Sequence, residues 1–220
     1  MKATERLLEA TKEIWASYNH HPFVKGLADG TLDRDKFRFY MIQDYLYLED
    51  YAKTFAVGVA KATSLRTANL FAKYIAVMNG ELNVHTGYMA RLGVTREEIE
   101  RTPRSLDNLS YTSYMLRIAY EGGEAEIMAA ILACAYSYEL IAKRILAEDP
   151  NAAAEDNYYA DWIKGYASER YAEENRILLE EMDLLAEGYT EEKMQHLVDI
   201  FVACSRYELA FWEMAWNRQL

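Results

Sequence analysis

Of the 220 residues only two are cysteine, Cys134 and Cys204. No disulfide framework can be built from so few, and in a reducing compartment both stand as free thiols. Proline is nearly as scarce, at Pro22, Pro103 and Pro150. Long helices are therefore permitted over most of the chain. Basic residues are outnumbered, 24 against 35 acidic, for a net charge of -11. An acidic surface repels phosphate backbones and anionic lipid, and no basic stripe compensates, so neither nucleic acid nor membrane is an expected partner. No uninterrupted run reaches the roughly 18 apolar residues of a spanning helix. Charges interrupt the stretch MKATERLLEATKEIW where a signal peptide needs an apolar core. A cytoplasmic location is expected. Histidine is limited to His20, His21, His85 and His196, and no Glu-x-x-His occurs: Glu81 to His85 and Glu192 to His196 are four apart. The di-iron pattern of helical bundles is absent, as are the G-x-G-x-x-G, P-loop, G-x-S-x-G and C-x-x-C signatures.

What is abundant is apolar and aromatic. Half of the residues are apolar, and 18 tyrosines accompany 4 tryptophans and 7 phenylalanines. A buried tyrosine needs a partner for its hydroxyl, so the interior is expected to be polar as well as aromatic. Apolar residues recur at i, i+3, i+4 and i+7, which predicts helices near 3–18, 33–62, 66–91, 95–101, 105–120, 124–147, 152–184 (broken once) and 190–217. Asp33 and Thr190 are expected N-caps, and Thr95 with Glu98 forms the sequence of a capping box. Gly58, Gly80, Gly87 and Gly165 fall inside helical pattern, where each costs about 1 kcal/mol relative to alanine; they are read as close helix contacts or pocket walls. No alternating strand pattern, repeat or linker appears. The expectation is an all-α, single-domain helical bundle over residues 1–220.

Polar residues on apolar stripes are the candidates for chemistry, because an uncompensated buried charge is costly. Asp44 lies among Phe37, Tyr40, Met41, Tyr47, Leu48 and Tyr51. Glu208 lies among Phe201, Cys204, Ser205, Phe211, Trp212 and Ala215. Burial there raises a glutamate's pKa toward the range of a general acid at neutral pH. Cys134 shares a stripe with Ile127, Ala130, Ile131, Ser137, Tyr138 and Ile141. Each has a plain alternative: a structural acid satisfied by tyrosine or arginine, or a small core cysteine. Three such residues on three separate long helices point to one cavity.

Six segments, in order, resemble the TenA (thiaminase II) family: HPFVKGLADGTL at 21–32, FYMIQDYLYL at 39–48, LSYTSYMLRIAYEGG at 109–123, ACAYSYELI at 133–141, DWIKGYASERY at 161–171 and SRYELAFWEMAW at 205–216. The resemblance implies a haem-oxygenase-like fold without haem, a homotetramer, and a hydrolase that releases 4-amino-5-hydroxymethyl-2-methylpyrimidine from thiamin or from its aminomethyl analogue. It implies Cys134 as nucleophile, Glu208 as acid, and Tyr47 beside the nucleophile. It further implies Asp44 as the aminopyrimidine ligand, with Tyr138, Tyr166, Tyr111 and Phe211 as aromatic pocket residues. No metal or redox cofactor is implied. A divergent or non-catalytic pyrimidine-binding or regulatory protein on the same fold is the alternative expectation.

Overall fold

The structure, a computed structural model, describes residues 1–78 and 85–220 in full and residues 79–84 as helix backbone only. Gly80 and Glu81, named above, thus lie outside the described side chains. Ten α-helices follow one another: α1 Ala3–His20, α2 Pro22–Ala28, α3 Arg34–Lys61, α4 Leu65–Arg91, α5 Arg96–Arg101, α6 Leu106–Glu121, α7 Glu124–Glu148, α8 Ala160–Tyr166, α9 Glu169–Leu185 and α10 Glu191–Asn217. A 3-10 turn at Pro150–Ala153 precedes α8, and no strand occurs among the described residues.

The all-α expectation holds, with three corrections. The sequence reading places no helix between 18 and 33, whereas Pro22 opens α2 there at the first helical position, with the His21 ring accepting from Phe23 N–H. That position needs no donor, so proline fits it. The stretch predicted as helix over 152–184 with one break is a 3-10 turn, an irregular segment, α8 and α9. Its second break is set by Ser168, whose hydroxyl accepts from Tyr171 N–H and caps α9. Thr95 caps α5 through Glu98 N–H, but the Glu98 carboxylate completes no capping box: it pairs with Arg38 instead. Asp33 and Thr190 cap α3 and α10 as expected.

α7 is the central helix. It packs against α3, α6, α8, α9 and α10, while α3 also packs on α4 and α6, and α10 on α1. Ala129, Ala130 and Ala133 on α7 are wholly buried, and residues that small let neighbouring helices approach closely. An 18-residue window of α7 has mean hydropathy 1.4, long and apolar enough to cross a membrane by length and composition, which corrects the reading from uninterrupted runs. Of that window 78% is buried inside the protein, as befits a core helix.

Buried polar side chains fix the register between helices. Asn108 Nδ2 donates to Gln43 O at 2.7 Å and to Gln43 Oε1 at 3.0 Å, locking the start of α6 to α3. Tyr18 O–H and Trp15 Nε1–H of α1 donate to the backbone oxygen and hydroxyl of Ser205 on α10, one turn before Glu208. Gly58 is a close helix contact: a Cβ there would stand 2.9 Å from the wholly buried Phe71 ring. Gly58→Val is expected to destabilise the fold by about 2 kcal/mol through overpacking, read as a lowered denaturant midpoint at unchanged m-value.

Candidate active site

Asp44, Cys134 and Glu208 lie near the middles of α3, α7 and α10. Asp44 is 5% exposed and Glu208 2%. Cys134 is half-buried, and its thiol lies close enough to Glu208 to act on the titration of that carboxyl. Burial pushes the Glu208 carboxyl up to about 8. Against that push, the Tyr111 hydroxyl and the Cys134 thiol favour the charged form, while the negative charge of Asp44 disfavours it. Tyr111 O–H is wholly buried and close enough to exert this influence, yet it has no partner at good hydrogen-bonding geometry. We therefore regard its contact with Glu208 as long, and burial as the dominant cause.

A cavity of about 40 Å³ is lined by Asp44, Cys134, Tyr138 and Tyr166, together with residues of α4 and α9. Space of this size holds a few waters. It adjoins an outer chamber of about 200 Å³, which shares Val77, Tyr166, Tyr171 and Glu174 with it. The other expected residues stand behind the cavity wall. Tyr47 feels the charge of Cys134, but its hydroxyl donates to Met115 Sδ at 3.6 Å. Its ring packs on Tyr111 and Phe211, with centroids 5.2 and 5.8 Å away. Glu208, Tyr111, Tyr47 and Phe211 line neither chamber, so of the three residues expected to share one cavity Asp44 and Cys134 line it and Glu208 does not. Tyr138 occupies the middle of the site, its ring 4.9 Å from Tyr166 and 5.3 Å from Trp212, with Tyr40 O–H donating to its hydroxyl at 3.4 Å. Burial raises the hydroxyl pKa of Tyr47, Tyr111 and Tyr138 well above the usual value, so all three remain protonated.

Two neighbours, His85 and Asn175, escaped the sequence reading. His85 of α4 is 2% exposed, and its Nε2 lies 2.5 Å from Asp44 Oδ2. The signal was its stripe: Met78, Tyr88 and Met89 stand at i-7, i+3 and i+4, so the histidine faces inward. Asn175 Nδ2 donates to the Ala135 carbonyl at 3.1 Å and to Glu139 Oε2 at 2.8 Å. Tyr171 O–H donates to the same carbonyl at 2.9 Å. Together they clamp α9 onto α7 at the residue following Cys134, and both line the inner cavity. Tyr166 and Tyr171, alternatives for one role in the sequence, are thus both at the site. Among the described residues no group of three metal-ligating side chains gathers.

These side chains bring a thiol and a histidine-bound carboxylate to an aromatic cavity, with a carboxyl held up to about 8 beside them, a set suited to nucleophilic and general-acid chemistry. Known proteins share the frame. An aminopyrimidine aminohydrolase of Helicobacter pylori is 40% identical over 218 residues, 99% of this chain and 100% of that protein. A TenA homologue from P. horikoshii OT3 superposes with a TM-score of 0.89 at 32% identity, covering 99% of each chain. A domain of heme oxygenase-like fold from Shewanella denitrificans gives 0.75 at 14% identity over 99% of this chain and 93% of its own, a likeness of fold alone. The sequence profile of the TENA/THI-4/PQQC family matches residues 8–218. With its fold, its near-complete coverage and its aligned profile in agreement, the chain belongs to the TENA/THI-4/PQQC family.

Proposed function

We propose that this protein is an aminopyrimidine aminohydrolase of thiamin salvage. It would release 4-amino-5-hydroxymethyl-2-methylpyrimidine from thiamin or from the aminomethyl analogue by covalent catalysis at Cys134. The observation that carries this reading is a Glu208 carboxyl held up to about 8 beside the Cys134 thiol, which lines one cavity with Asp44.

Asp44 accepts a hydrogen bond from the 4-amino group; with His85 on Oδ2, Oδ1 is the oxygen that faces this task. Glu208 donates its proton to a ring nitrogen and draws electrons from the ring. The Glu208 carboxylate so formed takes the proton of the Cys134 thiol, and the thiolate adds to the electron-poor ring carbon. Electrons return through the ring to expel the group on the exocyclic methylene, as the thiazole or as ammonia. Water adds at that methylene, and departure of the thiolate restores the aromatic ring. This combines nucleophilic and general-acid catalysis. Tyr138 and Tyr166 bound the ring at the cavity wall, and Tyr47, Tyr111 and Phe211 back the nucleophile. The same reading takes residues 1–220 as one domain, acting in the cytoplasm as a homotetramer without metal or redox cofactor.

The test is a product assay. Purified protein incubated with thiamin, and separately with the aminomethylpyrimidine, is expected to release hydroxymethylpyrimidine, followed by chromatography. Folded protein that binds the pyrimidine but releases none from either compound would instead be a pyrimidine-binding or regulatory protein.

A further inference from the structure

In both compounds the departing half is cationic at neutral pH, a thiazolium in thiamin and an ammonium in the aminomethylpyrimidine. Inference from this point rests on the hydrolase reading above. The outer chamber has the chemistry to receive such a half. Its aromatic wall is a chain of rings: Trp162 meets Tyr166 at 4.8 Å and Tyr166 meets Tyr171 at 5.1 Å, both edge to face. Glu174 lies on the boundary with the inner cavity, its side chain 14% exposed. Its Oε1 accepts from Arg170 Nε at 3.0 Å, and no hydrogen bond engages Oε2 among the described residues. Arg170 lines the chamber as well, but its side chain is 72% exposed, so water screens its charge more than that of the carboxylate. His85 also lines the chamber but is held by Asp44. Aromatic faces with one half-buried carboxylate are the composition that recognises organic cations. Gly165, near the end of α8, completes the wall; a Cβ there meets no atom within 4 Å.

We propose that the outer chamber is a cation-recognising subsite for the departing half of the substrate. Glu174 and the rings of Tyr166, Tyr171 and Trp162 provide its attraction, and Gly165 sets the size of group it admits. The chamber of about 200 Å³ leaves room for a substituted five-membered ring, whereas ammonia needs almost none. Gly165 is therefore a specificity residue, and Glu174 a recognition residue that takes no part in bond making.

Steady-state kinetics on both substrates tests this, with the inhibition constant of hydroxymethylpyrimidine as the control. That product is neutral and lacks the departing half. Glu174→Gln is expected to lower kcat/KM for both substrates by about tenfold and to leave the product's inhibition constant within about twofold. Gly165→Leu is expected to lower kcat/KM for thiamin by about a hundredfold, through a clash built against the larger group. The aminomethylpyrimidine should stay within about threefold, and Gly165→Ala should retain both. An equal effect of Glu174→Gln on the product's inhibition constant would overturn the proposal. So would a parallel loss, or no loss, of both substrates in Gly165→Leu. If the wild type turns over neither compound, the hydrolase reading fails separately. Calorimetric binding of thiamin and hydroxymethylpyrimidine then reads the subsite directly, and a Glu174→Gln variant that weakens neither, or both alike, refutes it.

Discussion

Cys134→Ala is expected to keep the fold, keep its affinity for hydroxymethylpyrimidine, and lose turnover by at least about a thousandfold. The fold survives because alanine is the best helix former and the site is half-buried beside a small cavity. One lost sulfur in such a place costs on the order of 1 kcal/mol. Affinity survives because the thiol forms its bond with substrate only along the reaction path. Turnover does not survive, since no other thiol lines the cavity. Cys204 is wholly buried on α10, and burial first, then the charge of Glu208, raises its pKa well above the usual thiol value. A thiol held protonated is a poor nucleophile. The measurement is kcat by product chromatography alongside the product's dissociation constant by calorimetry. Wild-type kcat in Cys134→Ala, with loss in Cys204→Ala, would transfer the nucleophile to α10.

The parts of this site that could be read beforehand share one physical signature. Asp44, Cys134 and Glu208 each interrupt an apolar stripe, and the 3.6-residue period alone exposes such a residue. The caps at Asp33 and Thr190 were legible for a related reason, because their partners are the next few backbone amides. The failures concern partners distant in sequence. His85 meets Asp44 across 41 residues, and no local pattern states that those stripes of α3 and α4 face each other. Glu98 was assigned to Thr95 by proximity in sequence, but Arg38, 60 residues away, offers a charged partner and prevails. A cavity has no sequence signature, being what the packed side chains leave unfilled. Hence Asn175 and Glu174, ordinary positions on the amphipathic helix α9, emerge only in three dimensions. Helix α2 was missed for a different reason: the proline ring that ends a helix in its interior favours the first position of one, where Pro22 stands.

Glu208→Gln is expected to move activity and stability in opposite directions. Glutamine preserves shape and a donor but carries no proton to give, so kcat/KM should fall by about two to four orders of magnitude, the usual worth of a positioned general acid. In the wild type the carboxyl titrates near 8, so kcat/KM should decline as pH rises through about 8. The residual rate of the variant should lack that decline. Stability follows from the same value. In the unfolded chain a glutamate titrates near 4.3. Between about 4.3 and 8 the native state therefore holds a proton that the unfolded state has released. Unfolding releases protons over this range, and native stability decreases as pH rises through it. The contribution is complete below the unfolded pKa and lost above the folded one. Glutamine has nothing to titrate, so the variant should match or fall below the wild type at pH 4 and exceed it by roughly 2–4 kcal/mol at pH 7–8. Urea denaturation across that range checks the sign. A variant that tracks the wild type at every pH would mean that Glu208 titrates as an ordinary carboxylate and is not the acid. If stability instead diverges with pH while activity is lost, a single observation about burial accounts for both: the desolvation that keeps the proton on Glu208 is a cost to the fold at neutral pH, and the same retained proton is what the reaction uses.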